Sequence, residues 1–360
     1  MSKIRVAIAG VGNCASSLIQ GLHYYKDIDE KSPLIPGLVN NVVGGYKISD
    51  IEPVVAFDID HRKVGKDLSE AIFAKPNCTM EFSEVPYLDA PVFRAPVMDG
   101  VSQHMKDFPE DDSFSISSHD SVDVAEMLEL YKVDVLVNYL PVGSAEASKY
   151  YAECCLEAGC CFVNGIPEFI VSTDEYDEKF KEAKLSAIGD DWRSQYGATQ
   201  MNAVLVKSMH ERGIAIDKLV QDNWGGNTDF INMLISSRLK TKKISKTEAI
   251  TSTLPYDVDD VKIGPSGLVS DLKDTKVAKI IIEGRKFGNV PIKVEAKLYV
   301  EDSPNSAGVA VDAIRCVKLA HDRGEYGSLV IPSGAFCKHP IKQINPLECM
   351  DLLHNWIDMQ

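Results

Sequence analysis

Apolar and polar positions alternate in two rhythms along the chain. Lys3 to Ala9 is a short, nearly continuous apolar run that ends at Gly10. Such a run, closed by a turn signal, predicts a strand buried on both faces. Helical spacing follows through Leu18, Ile19 and Leu22. The same succession recurs, with strands predicted at Val54–Phe57, Val133–Tyr139, Cys161–Asn164 and Ala187–Gly189. Helices are predicted around Val122–Leu130, at Ala145–Ala158 and at Asp174–Ser186. Strands alternating with helices imply parallel pairing, hence an α/β fold built on a doubly wound, Rossmann-type sheet. Pro33, Pro36, Gly37, Gly44 and Gly45 mark an irregular insertion over Tyr25–Asp50. Pro86, Pro91, Pro96 and Pro109 mark a second excursion before the Val133 strand.

The rhythm changes after about residue 200. Ala278–Ile282 and Ile292–Val300 are β-rich runs separated by Glu283–Asn289, which reads as a hairpin or meander. Gln200–Asp302 is therefore expected to form an inserted, mixed α+β unit. A helix from about Ser306 to Asp322 and a tail over Lys342–Met359 are expected to return to the first unit. The expected division is 1–199, 200–305 and 306–360.

Composition narrows the function classes. The 360 residues, 45% hydrophobic and 25% charged, are ordinary globular usage and enough for two cores. A net charge of −15 argues against nucleic acid or an anionic membrane as partner, but not against a small anion met by a local cationic cluster. No apolar run reaches the ~18 residues of a membrane span. Met1–Arg5 runs straight into a strand, so no signal peptide is expected. Nine cysteines in a long chain suggest reduced thiols and a cytoplasmic protein. Cys154–Cys155 and Cys160–Cys161 lack C-x-x-C spacing and read as core packing. No paired-histidine zinc motif or nucleophile elbow is present, so zinc-enzyme and hydrolase readings have no anchor.

Gly10-x-Gly12-x-x-Ala15, after a strand and opening a helix, is a dinucleotide fingerprint in its Gly/Ala form. The first glycine allows the tight turn and the second lets backbone approach a pyrophosphate. The small third residue lets helix and strand pack closely. Asp58, ending the Val54 strand, is placed to accept from the adenylyl ribose hydroxyls, which favours NAD. It lies beyond the usual ~20 residues because of the Tyr25–Asp50 insertion. Asp60 rivals it, and Arg62 with Lys63 offers an alternative site for the 2′-phosphate of NADP.

Two further stretches carry charge or small polar groups. Arg238–Lys246 is a dense basic run in which Lys242 and Lys246 share a helical face. Neighbouring ammonium groups lower each other's pKa and suit a phosphate clamp or proton transfer, although a solvated helix face has the same pattern. In Gly189–Thr199, Ser194, Gly197 and Thr199 precede an apolar-periodic helix and could hold an oxyanion or simply cap the helix. Asp190 and Asp191 could bind a cation or orient a lysine.

These stretches, in this order, resemble the myo-inositol-phosphate synthase family in its short bacterial and archaeal form. The resemblance spans nearly the whole chain. It rests on Gly10–Ser17, Val137–Ser144, Gly189–Thr199, Asn223–Asp229, Lys242 with Lys246, Asp274-Thr275-Lys276 and Glu301–Asn305. It implies conversion of D-glucose 6-phosphate to an inositol monophosphate, with NAD oxidising C5 and later returning the hydride, and an aldol closure between. It assigns Lys242, Lys246, Lys276 and Lys338 to the active site, with Lys342 a rival for Lys338 and Asp302 orienting a lysine. Lys276, beside Asp274, would exchange the proton at the C5 oxygen. Lys242 and Lys338 would stabilise oxyanions, and Lys246 with Ser194, Gly197, Ala198 and Thr199 would grip the substrate phosphate. Cofactor contacts are implied for Gly10, Gly12, Asn13, Cys14, Ala15, Asp58 and Asn138, with Asp191 and Asp229 near the nicotinamide and able to hold a divalent or monovalent cation. Arg193 stands where the family pattern has lysine, which keeps the charge and changes the donor geometry. A homotetramer is also implied. Two other functions share these features: a net NAD(P)-dependent dehydrogenase resembling homoserine dehydrogenase in layout, and a sensor that binds nucleotide and sugar phosphate without turnover.

Overall fold

A computed structural model describes residues 3–359 except 236–240, 242, 243, 246, 248, 249, 251–253, 346 and 347. Seven parallel strands form the larger sheet: β1 (Ile4–Ala9), β4 (Ile51–Asp58), β5 (Val92–Arg94), β6 (Val135–Asn138), β7 (Cys161–Asn164), β8 (Ser186–Ile188) and β13 (Gly327–Ser328). Their order is β13-β8-β7-β6-β1-β4-β5. The chain builds outward from β1 through β4 to β5, then crosses back to lay β6 on the other side of β1. That reversal leaves a crevice beyond the carboxyl ends of β1 and β6, where open α/β sheets bind ligands. The edge strand β5 is absent from the sequence reading because only three residues pair, between Pro91 and Pro96.

Helix α1 (Asn13–Tyr24) follows β1 directly and buries Ala15–Leu22. The Tyr25–Asp50 insertion holds a small hairpin, β2 (Val42–Val43) with β3 (Tyr46–Lys47). The next helices are α2 (Leu68–Ala71), α3 (Val124–Leu130), α4 (Ala145–Ala158) and α5 (Asp174–Glu182). Cys154, Cys155, Cys160 and Cys161 are all buried in this core.

A second, four-stranded sheet has the order β10-β9-β11-β12, with β9 (Ala215–Gly225), β10 (Asp260–Leu268), β11 (Thr275–Arg285) and β12 (Pro291–Glu301). The β11–β12 ladder is antiparallel from Thr275↔Glu301 to Arg285↔Pro291, the hairpin expected from sequence. Helix α6 (Ala198–Glu211) covers one face, where Val206 and Met209 meet Leu219, Ile280 and Ile282. The short helix α7 (Thr228–Asn232) follows β9.

β12 runs without a linker into α8 (Asp302–Asp322), which packs back on α1, β7 and β8. Within α8, Arg315 and Asp312 are fully buried and ion-paired. Arg315 also donates to the carbonyls of Asn40 and Asn41, and the Asn40 amide donates to Asp312 at 2.6 Å. This pair fastens the Tyr25–Asp50 insertion to α8. Helices α9 (Val330–Phe336) and α10 (Cys349–Asp358) complete the chain. Among the described residues no helix is long and apolar enough to cross a membrane.

Candidate active site

A cavity of about 340 Å³ lies beyond the carboxyl ends of β1 and β6 and extends to β9, β11 and the start of α8. The glycine loop forms one end. Gly10 has φ +91°, and a Cβ there would sit 2.7 Å from the Tyr139 carbonyl oxygen, so only glycine fits. A Cβ at Gly12 would meet nothing within 4 Å; that free space lies before the first turn of α1, which has no side-chain cap. Free N–H groups and open space fit the pyrophosphate of a dinucleotide.

Asp58 accepts from the N–H groups of Val11 (2.7 Å), Ile59 (2.7 Å) and Asp60 (2.9 Å), which brings its carboxylate to the loop. Asp60 is gripped by the Arg62 fork at 2.9 and 2.6 Å. Arg62 also donates to the Glu110 and Ser113 carbonyls. Asp60 and Arg62 are therefore committed to each other. Asn13 accepts from the N–H groups of Cys78 and Thr79, shaping the loop opposite. Cys14 faces Ser303 and Ser306, and burial pushes its thiol up to about 12. Ala15 is fully buried beneath the loop.

Asn138 departs from the expectation of a cofactor contact. Its amide donates to Ser148 (3.0 Å) and Asn164 (2.9 Å) and accepts from Leu140 N–H (3.1 Å), behind the cavity wall. Tyr139 and Leu140 line the cavity in its place.

Next to the loop, across the contact of Cys14 with Ser303, the cavity gathers carboxylates and lysines. Lys276, near the start of β11, pairs with Asp302, the first residue of α8. Asp274 lies buried behind them, accepting from Asn227 (2.9 Å), the Ser303 hydroxyl (2.9 Å) and Ser303 N–H (3.1 Å). Burial, then the neighbouring charge of Asp302, pushes its carboxyl up to about 6. Lys338 pairs with Asp191 at 2.7 Å and donates to the Trp192 carbonyl. The other Asp191 oxygen accepts from Ser245 at 2.6 Å, so this aspartate orients a lysine. Lys342 is exposed, lies in an irregular segment and does not line the cavity, whereas Lys338 does. Asp190 points elsewhere and ties down the loop after β7, accepting from Ile170 N–H, Ser172 N–H and the Ser172 hydroxyl among others.

Ser194, Gly197, Ala198 and Thr199 line the cavity where α6 begins, with Gly197 at its cap position and no side chain capping it. Asn305 pins the preceding turn, accepting from Tyr196 N–H through its side chain and from Gln195 N–H through its carbonyl. Arg193 is buried, donates to the Cys337 carbonyl at 2.8 Å, and leaves Nη2 without a hydrogen-bond partner among the described residues. Asp229, in the first turn of α7, also lines the cavity. Lys242 and Lys246 lie outside the described residues. Among the described residues no three potential metal ligands come together.

Several lining residues were not singled out from the sequence. Gln221 and Asn223 face inward from β9, and the Asn223 amide donates to the Gly264 carbonyl at 2.7 Å. For Gln221 a polar residue at an inward position of a strand was the signal, whereas Asn223 also opens the Asn223–Asp229 stretch of the family resemblance. Met98, Val101, Met105 and Phe114 cover the glycine-loop end, and their proline-rich surroundings gave no periodicity to read.

Comparison with known proteins bears on the family and the fold. The model of the family described as myo-inositol-1-phosphate synthase matches residues 197–303. The chain is 47% identical to an inositol-3-phosphate synthase of Mycolicibacterium smegmatis, over 95% of this chain and 94% of that one. It is 48% identical to the Mycobacterium tuberculosis protein of the same name, over 95% and 92%. A crystal structure of a myo-inositol-1-phosphate synthase-related protein from Thermotoga maritima superposes with a TM-score of 0.80 at 25% identity, covering 99% of both chains. The chain belongs to the myo-inositol-1-phosphate synthase family.

Proposed function

We propose that the chain converts D-glucose 6-phosphate to 1D-myo-inositol 3-phosphate, using NAD without net consumption. The observation that carries this reading is one continuous cavity joining a glycine loop, two lysine–carboxylate pairs and an uncapped helix start. Gly10, Gly12, Asn13 and Asp58 would hold NAD, which when bound would supply a reversible hydride acceptor for C5. Lys276 exchanges the C5 hydroxyl proton, and Asp302 holds its ammonium in place. A ketone at C5 acidifies the C6 protons, and the enolate carbon then attacks the C1 aldehyde. Both steps build oxyanions, which Lys338 and Lys242 stabilise as fixed cations. Ser194, Gly197, Ala198, Thr199 and Lys246 hold the substrate phosphate, supported by the free N–H groups where α6 starts. Gly10, Gly12, Asn13 and Asp58 serve the dinucleotide, and Asp229 faces its nicotinamide end.

The reading extends to a homotetramer in a reducing, cytoplasmic setting. All nine cysteines are free, which supports the setting. The sheet face away from α6 carries Val220, Trp224 and Ile281, which supports assembly through that sheet. Light scattering on the purified chain tests the assembly.

The decisive test incubates the protein with NAD⁺ and glucose 6-phosphate, following products by phosphorus and carbon NMR and NADH by absorbance. An inositol monophosphate without lasting NADH is expected. Accumulating NADH with an oxidised sugar phosphate would instead establish a net dehydrogenase. Binding of both ligands without product, with cations added, would leave a sensor.

A further inference from the structure

Lys63 is a buried cation that the proposed chemistry does not use. It is 4% exposed, lines the cavity, and burial pulls its pKa down. Its ammonium donates to the Val11 carbonyl at 2.7 Å and to the Asn77 side-chain oxygen at 3.0 Å. An ammonium carries three donors, so one is left over. Among the described residues no carboxylate lies within ion-pair distance of it. The two acids whose charge it feels are Asp58 and Asp60. Asp60 is occupied by Arg62, and Asp58 by backbone N–H groups.

Lys63 and Asp58 thus hold opposite ends of one residue of the glycine loop. Asp58 takes the N–H of Val11 and Lys63 takes its carbonyl. The loop is fixed between an acceptor with spare lone pairs and a donor with a spare hydrogen, both on the cavity wall. A buried charge with an open donor is costly unless a ligand completes it. A vicinal diol matches this pair: one hydroxyl donates to the carboxylate while the adjacent oxygen accepts from the ammonium. A 2′-phosphate would bring a dianion against Asp58 and fits less well.

We propose that Lys63 binds the dinucleotide, donating to one hydroxyl of the adenylyl ribose while Asp58 accepts from the other. This rests on the dinucleotide reading of the cavity. The test is titration calorimetry of the full chain with ADP, 2′-deoxy-ADP and 3′-deoxy-ADP, repeated on Lys63→Met. The wild type should bind each deoxy analogue about tenfold more weakly than ADP. Lys63→Met should lose about tenfold for ADP, yet almost nothing for the one analogue that already lacks the hydroxyl facing Lys63. Equal losses for all three ligands would overturn the inference and leave Lys63 a support of the loop. A wild type that binds either deoxy analogue as tightly as ADP would overturn it as well. Failure of the wild type to bind both ADP and NAD⁺ would remove the dinucleotide reading and the inference with it. Lys63→Gln, which can keep the bond to Val11, carries the same comparison if the methionine variant does not fold.

Discussion

Replacing Lys276 by methionine separates the chemistry of the site from its contribution to the fold. The Lys276 side chain is 19% exposed and that of its partner Asp302 29%, so the pair is partly solvated. Partly solvated pairs contribute about 1 kcal/mol or less to stability. In a chain of this size that is a shift of roughly 2–4 °C in Tm at most. The catalytic cost is much larger. A positioned proton carrier accounts for about 10²–10⁴ in rate, and a fixed cation beside a developing oxyanion adds to it. Lys276→Met should therefore lower kcat by at least about 10³ while the protein melts within a few degrees of the wild type. It should also bind NAD⁺ nearly as well, because Lys276 pairs with Asp302 and makes no hydrogen bond to the glycine loop or to Asp58. Turnover by product NMR, a single-turnover trace of NADH, thermal melting and NAD⁺ calorimetry give the four readings. A folded variant retaining a tenth of wild-type turnover would refute the assignment of Lys276. A fall of more than 10 °C in Tm would refute the argument from partial solvation, and place the importance of the lysine in folding.

Asp58→Ala should weaken NAD⁺ binding about tenfold or more in calorimetry, losing both ribose acceptor and the clamp on Val11; unchanged affinity would mean that another group meets the ribose. Asp274 gives a pH prediction. Its folded pKa near 6 lies above the usual 3.8, so it stabilises the fold below about pH 4, and that contribution disappears as pH rises through 6. Wild type relative to Asp274→Asn should therefore lose about 2 kcal/mol between pH 4.5 and 7.5 in denaturant melts, and a constant gap would show that the carboxyl does not titrate there. Arg315→Met should destabilise by about 3–5 kcal/mol, because it strands Asp312 in a fully buried site. Arg315→Met with Asp312→Leu should recover most of that, and a single variant costing under about 1 kcal/mol would contradict the buried-pair account.

The larger sheet was legible because its strands are buried on both faces and therefore read as unbroken apolar runs, from Lys3–Ala9 to Cys161–Asn164. The glycine loop was legible because its spacing has a steric cause that Gly10 displays. The second sheet was only half legible. β9 places Gln221 and Asn223 at inward positions, where alternation demands apolar residues, because they face the cavity. β10 carries Gly264-Pro265-Ser266-Gly267, which reads as a turn, yet pairs along β9 from Lys218 to Gly225 with a register shift at that point. The catalytic roles of Lys276, Lys338 and Asp302 came from the family resemblance, and no periodicity could have paired Lys276 with Asp302 or Lys338 with Asp191. Asn138 shows the opposite failure, a residue of a recognised stretch whose side chain serves the wall and not the ligand.

The junction of β12 and α8 also limits how the gene can change in length. At the far end of the ladder, Phe287 is 98% exposed at the hairpin tip, where added or deleted residues would fall into solvent. At Glu301–Asp302, one inserted residue would turn the helix by about 100° relative to the strand. It would carry Asp302 away from Lys276, and Ser303 from Asp274, in a single event. Pulling the strand along instead would reverse its faces. The hairpin tip can absorb insertions and deletions, whereas the join between strand and helix must keep its residue count.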